Sequence, residues 1–147
     1  MTCIIGIDPD SEKHGVAVYR DGRLTELKTA SRQQVVLLAV ANRAVLHIEN
    51  VMANQFVYSR NVKASKAAQS KVAMHIGRCQ QALIELLRDL DSAGITYMLH
   101  KPQAGNWADN KIIFERVTGW TGKSNADTRS AAFFGVLGIN NGVKHRL

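Results

Sequence analysis

At 147 residues and 46% apolar content, the chain has the size and composition of an ordinary globular protein, and we predict a single domain over residues 1–147. No run approaches the roughly 18 apolar residues of a membrane helix, and the chain opens directly into a strand pattern, which predicts neither a membrane partner nor a signal peptide. Cys3 and Cys79 have no partner at metal-ligand spacing, which favours buried, reduced thiols in a cytoplasmic protein.

The charge is unevenly distributed. Nineteen Lys and Arg against twelve Asp and Glu give a net charge of +7. No acidic residue lies between Glu49 and Glu85, a stretch that carries Arg60, Lys63, Lys66, Lys71 and Arg78. A localised basic surface is typical of proteins that bind a polyanion, and an ordinary solvated basic face is the alternative.

The first part of the chain predicts an antiparallel meander of three strands, over residues 2–8, 14–20 and 23–29. Asp21-Gly22 is a two-residue hairpin signal, because both turn positions take positive φ. The first strand is apolar throughout and ends in Asp8, so we expect it to be buried on both faces. A carboxylate at that end needs a hydrogen-bond donor or a metal as partner.

The rest of the chain alternates helices and strands: a helix over 32–42 capped by Ser31, a strand over 44–48 ending in Glu49, a long helix from Lys63 to Gly94, a strand over 95–99, and helices over 110–117 and from 124. The long helix has a predicted core stripe of Val72, Ile76, Cys79, Leu83, Leu86 and Leu90. Its lysines and Arg78 are expected to face away from that stripe. The order predicts an α/β fold with a mixed five-stranded sheet flanked by helices.

Right-handed crossovers would place the fourth strand beside the first, so Asp8 and Glu49 are expected at one edge of the sheet, where α/β proteins bind ligands. Asp127, in the first turn of the last helix, is the third candidate. Such carboxylates tolerate one another if one is protonated or a hard cation binds, and three of them suit a two-metal phosphoryl-transfer centre. Structural alternatives exist for each: an Asx turn at Asp8, an ion pair of Glu49 with Arg43, and a Ser124–Asp127 capping box.

Three segments carry a family resemblance: Gly6-Ile7-Asp8-Pro9 with His14-Gly15-Val16-Ala17, then His47-Ile48-Glu49, and finally Ala126-Asp127 before Ser130-Ala131-Ala132. In this order they resemble the motifs of RuvC-like Holliday-junction resolvases of the ribonuclease H-like superfamily, and residues 117–122 resemble phage-type members. The resemblance spans nearly the whole chain. It implies a Mg²⁺-dependent endonuclease that dimerises and nicks four-way DNA junctions symmetrically, with Mn²⁺ as a plausible substitute. Asp8, Glu49 and Asp127 would be its catalytic metal ligands, with two ions per site.

Two positions depart from the family pattern. Asp10 replaces the usual glycine after Asp-Pro, which adds a carboxylate near the site. Ser124 stands where the family usually has Asp or His, so the second metal would be held through water or Asn125. Lys123 is a candidate contact to the scissile phosphate, with an ordinary surface lysine as the alternative.

The family also grips DNA with the stretch after its second acid, which here contains Phe56, Tyr58, Arg60, Lys63, Lys66, Lys71 and Arg78. The basic side chains would contact phosphates without reading sequence. Phe56 or Tyr58 would stack on bases unpaired at the crossover, or else pack onto the core.

Several functions compete with the resolvase. A junction-binding protein that cuts poorly would keep the basic face, and a ribonuclease H-like nuclease acting on RNA or an RNA–DNA hybrid would share the acidic site. An actin-like use of ATP needs a phosphate-binding glycine loop and a second domain, for which 147 residues leave no room, so no nucleotide cofactor is predicted. The expected location is the cytoplasm of a bacterium or of a phage-infected host cell.

Overall fold

A computed structural model of the chain describes residues 2–53 and 65–146. Its strands and helices, in chain order, are β1 Cys3–Asp8, β2 His14–Arg20, β3 Arg23–Ala30, α1 Arg32–Asn42, β4 Val45–Glu49, α2 Lys66–Ser92, β5 Tyr97–His100, α3 Lys111–Thr118 and α4 Ala126–Arg146. One turn of 3₁₀ helix, Val51–Ala53, follows β4.

The five strands form one mixed sheet in the order β3-β2-β1-β4-β5. The first three strands are antiparallel, and β4 runs parallel to both β1 and β5. The α/β class, the mixed five-stranded sheet and the position of the fourth strand beside the first are therefore confirmed.

Most predicted boundaries agree with the structure to within two residues. Ser31 begins α1 with a full capping box, because its hydroxyl accepts from the Gln34 backbone while the Gln34 side chain accepts from the Ser31 backbone. The largest shift is at α2, which begins at Lys66 after an N-cap at Ser65, three residues later than the predicted start at Lys63. The starts of β5 and α4, at Tyr97 and Ala126, are each two residues later than predicted.

The two faces of the sheet bury different clusters. Because successive side chains of a strand point to opposite faces, β1 sends Ile5 and Ile7 to the face covered by α1 and α2. The opposite face, with Ala17 and Tyr19 of β2, packs against α4. Ile5 and Ile7 are fully buried, which agrees with the expected burial of the first strand.

Helix α4 lies against the sheet at main-chain distance. A Cβ atom on Gly6 of β1 would overlap the carbonyl of Ala131, and one on Gly15 of β2 would lie 2.5 Å from the carbonyl oxygen of Asp127. The buried Tyr19 hydroxyl donates a hydrogen bond of 2.7 Å to the carbonyl of Ala132. These contacts fix both the height of α4 above the sheet and its position along β1.

Helix α2 is packed along only part of its length. Leu83, Leu86 and Leu90 are fully buried, whereas Val72 is 50% exposed and Met74 is 57% exposed. The prediction that Val72 belongs to the core stripe is therefore wrong, because the first turns of α2 extend past the core that the later turns cover. No helix in the described parts of the chain has the length and apolarity needed to cross a bilayer.

Candidate metal centre and nucleic-acid interface

Asp8 and Glu49 end two neighbouring parallel strands. The register pairs Ile7 of β1 with Ile48 of β4, so the carboxylates stand one position further along each strand. Asp8 has the strand parity of Gly6, and Glu49 that of His47, whose ring lies against Gly138 of α4. Both carboxylates therefore project from the α4 face of the sheet, at its edge.

Asp127 reaches the same place through the packing of α4. Gly15 is the cross-strand partner of Asp8, and the backbone and Cβ of Asp127 lie directly above Gly15. Because this glycine has no side chain, the first turn of α4 can rest on β2 next to the end of β1. The structure thus brings the three predicted carboxylates together, although they are 41 and 78 residues apart along the chain.

Asp8 interacts with both of the other carboxylates. Burial, followed by the charges of Glu49 and Asp127, raises the pKa of Asp8 well above its ordinary value. Burial also raises the pKa of Glu49, and a hydrogen bond with the Asp8 side chain partly opposes that rise. The pKa of Asp127 is raised by burial and then by the charge of Asp10. Without a cation, each of these groups releases its proton at a higher pH than an ordinary aspartate or glutamate does.

A hard divalent cation fits this donor set. The ligands are carboxylate oxygens, which Mg²⁺ and Mn²⁺ prefer. A bound cation would favour the charged forms of these carboxylates, which burial disfavours. The hydroxyl of Ser130, one helical turn after Asp127, is buried and has no hydrogen-bond partner of good geometry among the described residues. It is nonetheless close enough to Asp8 to lower the pKa of that carboxyl, so Ser130 belongs to the surroundings of the acidic site.

The structural alternatives account poorly for these carboxylates. Arg43 precedes β4 and Glu49 ends it, so the two residues lie at opposite ends of the strand. The capping box at α4 is formed by Asn125 and Thr128, whose side chains each accept from the other's backbone N–H at 2.9 Å. The capping box therefore lies one residue after the Ser124–Asp127 alternative and does not involve the Asp127 side chain.

Two of the predicted accessory residues have structural roles. Asn125 caps α4, and the Ser124 hydroxyl accepts a hydrogen bond of 3.0 Å from the Arg129 guanidinium. Arg129 also donates to the carbonyls of Trp107 and Ala108, so it ties the segment before α3 to the start of α4. The sequence analysis did not identify this role of Arg129, which spacing alone does not indicate.

The other two accessory residues differ in their surroundings. Lys123 is exposed, and its carbonyl accepts from the Trp120 indole at 3.0 Å. The charge of Asp10 raises the pKa of both Asp8 and Asp127, which shows that Asp10 lies near these carboxylates. Its backbone N–H donates to Nδ1 of the buried His14 at 3.2 Å, which holds the turn after β1 in place.

The predicted DNA-binding surface is only partly described. Lys66, Lys71 and Arg78 are exposed on α2, as expected. Arg78 lines a surface cleft of about 360 Å³ together with Ser11 and Glu12, which follow Asp10 in the turn after β1. Four further candidates, Phe56, Tyr58, Arg60 and Lys63, lie outside the described residues.

His75 and Ser130 are two neighbours of the site that sequence reasoning missed. The charge of His75 on α2 lowers the pKa of Asp127, so this side chain is near the carboxylates. His75 precedes Cys79 by one helical turn, a spacing that could have marked it. Ser130 is one turn after Asp127, and its burial depends on the packing of α4.

Comparison with protein-family models gives no match, and comparison with curated proteins gives none. Among solved structures, the chain is similar to T. thermophilus RuvC in complex with a Holliday junction substrate, with a TM-score of 0.65, 16% identity and coverage of 97% of both chains. It is also similar to a second T. thermophilus RuvC structure, with a TM-score of 0.59, 17% identity and coverage of 96% of this chain and 97% of that one. The chain therefore has the same fold as these RuvC structures, a mixed five-stranded sheet flanked by helices.

Proposed function

We propose that the chain is a structure-specific endonuclease that resolves four-way or other branched DNA by divalent-metal-dependent hydrolysis of phosphodiesters. The observation that carries this proposal is the convergence of Asp8, Glu49 and Asp127 at one sheet edge, within a RuvC-like fold. The T. thermophilus protein in the similar structure is bound to a Holliday junction.

Asp8, Glu49 and Asp127 would hold Mg²⁺, or Mn²⁺ in its place, with two ions per site. Ions bound there supply charge stabilisation and lower the pKa of bound water. The chain's own contribution is to keep the carboxylates together at a partly buried edge, where their charges are weakly screened. Asp10 is the accessory carboxylate best placed to help with the second ion, because Ser124 and Asn125 are engaged elsewhere.

The branched substrate would lie along α2 and the turn after β1. Lys66, Lys71 and Arg78 would contact phosphates there, and Lys123 would contact the strand near the carboxylates. A four-way junction has two equivalent strands to cut, so we propose that the chain acts as a homodimer with one acidic site per protomer.

A junction-binding protein that cuts poorly is the second candidate. It is favoured by one observation, the hydrogen bond from Arg129 to Ser124 at the position where related enzymes usually have a metal-ligating Asp or His. The basic surface would be unchanged in such a protein, and the two candidates differ only in hydrolysis.

Cleavage of labelled substrates separates these functions. The protein is incubated with a four-way junction, a linear duplex and an RNA–DNA hybrid, each with Mg²⁺, Mn²⁺ or EDTA. We expect paired nicks in the junction that require the metal, and a loss of about 10³-fold or more in Asp8→Asn, since the substitution removes a metal ligand.

Asp21→Asn is the matched control. It makes the same chemical change at the turn between β2 and β3, at the far end of the sheet from Asp8, where φ is +50° and asparagine is well tolerated. Its nicking should equal that of the wild type. Metal-independent binding without nicking would show that the chain is a junction-binding protein and not an endonuclease. Equal cutting of the RNA–DNA hybrid and the four-way junction would contradict junction specificity.

A further inference from the structure

A second cluster of potential metal ligands lies on the other side of the turn after β1. Asp10 of that turn meets His75 and Cys79 of α2, and one ligand atom from each lies within 4.8 Å of the other two. His75 and Cys79 are one helical turn apart, so they share a face of α2. Cys79 is buried, whereas the His75 side chain is 61% exposed, so solvent can reach the cluster from one side.

The spacing of these atoms matches a tetrahedral site. Cys79 Sγ lies 3.6 Å from His75 Nε2 and 3.7 Å from Asp10 Oδ1, and the last two atoms are 3.9 Å apart. A tetrahedral ion bonded to sulfur at about 2.3 Å and to nitrogen and oxygen at about 2.0–2.1 Å separates its ligand atoms by about 3.4–3.6 Å. The three atoms therefore need to move only a few tenths of an ångström to bind one ion.

The carboxylate of this cluster is already oriented. Asp10 Oδ1 accepts a hydrogen bond of 2.7 Å from the Ser11 backbone, and the Asp10 backbone is itself held by His14. Outer hydrogen bonds of this kind fix the orientation of metal ligands. The α2 ligands come from the ordered stretch of the helix that leads into its buried turns.

The donor set differs in kind from that of the acidic site. Asp8, Glu49 and Asp127 offer only oxygen, which suits Mg²⁺, whereas one thiolate, one imidazole and one carboxylate suit Zn²⁺ and similar borderline ions. The two sites adjoin: Cys79 packs on the α2 face and Asp127 on the α4 face, while the charges of Asp10 and His75 act on Asp127.

We propose that Asp10, His75 and Cys79 form a binding site for a Zn²⁺-class transition-metal ion, with a fourth position open to solvent. Binding would replace the thiol proton of Cys79, which passes to solvent, so that the sulfur ligates as thiolate. The bound ion would join α2 to the turn after β1, next to the acidic site. Asp10 would be shared with the proposed acidic site, whereas His75 and Cys79 belong to this site alone. The ion would bind whether or not the protein cuts DNA.

Spectroscopy of the full-length protein with Co²⁺ tests the site. Cobalt substitutes for zinc and reports its ligands, because a cysteine thiolate gives a charge-transfer absorption and a tetrahedral site gives intense d–d bands. We expect one Co²⁺ per chain with both features. Zn²⁺ should displace it, and a large excess of Mg²⁺ should leave the spectrum unchanged.

Matched variants assign the ligands. Cys79→Ala should abolish the charge-transfer band, whereas Cys3→Ala, at the other buried free cysteine, should retain it. His75→Gln should weaken Co²⁺ binding by about tenfold or more, by analogy with the loss of supporting metal-site residues. Because the His75 side chain is exposed, this variant tests the site even if Cys79→Ala does not fold.

Several results would overturn the site. They are the absence of a thiolate band in the wild type, a band that survives Cys79→Ala, Co²⁺ binding unaffected by His75→Gln, and displacement of Co²⁺ by Mg²⁺. A rise in Tm with Zn²⁺ that is lost in His75→Gln would support the site without any reference to DNA cleavage.

Discussion

Helices α4 and α2 approach the same end of β1 from opposite faces of the sheet, and they are held there differently. α4 rests on the sheet through main-chain contacts at Gly6 and Gly15, so the place of Asp127 is fixed by backbone geometry. α2 is anchored by side chains of its later turns, while its first turns expose Val72 and Met74. The difference teaches that the acidic ligands are placed by main-chain contacts of the fold, whereas the basic side chains lie on turns of α2 that leave large apolar side chains exposed.

The most damaging single change on the α4 side should be Gly6→Ala. Its methyl group would overlap the main-chain carbonyl of Ala131, which cannot move away as a flexible side chain could. We expect a loss of about 3 kcal/mol or more in the free energy of unfolding, measured by urea denaturation.

Gly77→Ala on α2 is the control for this change. Among the described residues, nothing beyond the helix's own backbone and the adjacent residues lies within 4 Å of the added methyl group. Because alanine also favours the helix, stability should rise by about 0.5–1 kcal/mol. Equal changes in the free energy of unfolding for Gly6→Ala and Gly77→Ala would show that α4 is not packed more closely than this part of α2.

Gly15→Ala should show whether the position of Asp127 affects nicking separately from the stability of the fold. The added methyl group would push the first turn of α4 away from β2 and move Asp127 relative to Asp8. We expect junction nicking to fall by about 10²-fold, because small displacements of reacting groups cost that much. Nicking at the wild-type rate by a variant whose Tm has dropped would contradict the proposed link between this contact and the acidic site.

Asp8→Asn should stabilise the metal-free protein. The wild-type carboxyl has a pKa raised by burial, Glu49 and Asp127, so the native state binds more protons than the unfolded state above the ordinary pKa of aspartate. Wild-type stability therefore falls as pH rises through that range, and asparagine removes this loss.

We expect Asp8→Asn to gain about 1–2 kcal/mol near neutral pH and less in mild acid, measured by thermal unfolding in EDTA. Saturating Mg²⁺ should reduce the gain, because the ion stabilises only the wild-type site. A destabilised variant in EDTA would mean that the carboxylates do not oppose one another in the native state.

The smallest effect should come from the exposed start of α2. Lys66→Ala with Lys71→Ala should leave Tm nearly unchanged, since both side chains are exposed. If both lysines contact phosphates, the slope of the logarithm of the DNA-binding constant against the logarithm of the salt concentration should become less steep. The expected change is about 1.8, at about 0.9 per phosphate contact. An unchanged slope in a junction-binding titration would show that these lysines do not contact DNA phosphates.

The sheet edge was predictable because its causes are local. Continuous apolar strands, a hairpin signal at Asp21-Gly22 and the handedness of crossovers are sufficient to bring Asp8 beside Glu49. To predict the position of Asp127, one must also know the height of α4 above the sheet. That height depends on Gly6 and Gly15, whose meaning is clear only when their opposite neighbours on α4 are known.

Two differences between sequence and structure, at Val72 and at the cluster of Asp10, His75 and Cys79, have a common physical origin. Helical periodicity shows which residues share a face, but it does not show where the partner of that face ends, and so Val72 was wrongly placed in the core. The cluster of Asp10, His75 and Cys79 was missed for a related reason, because its members come from segments about 65 residues apart. Cys79 was assigned to the apolar stripe, and its burial is correct, but burial did not reveal its polar neighbours.

The backbone contact between Gly6 and Ala131 has a consequence for sequence divergence. A distance set by main chain against main chain does not depend on which side chains fill the cores on either face. Gly15 and Gly6, with Ala131 and Gly135 opposite Gly6, hold the spacing, so many core positions can be exchanged without displacing the carboxylates. A chain built this way can preserve its architecture across 97% of its length while sharing only 16% of its residues with a protein of the same fold.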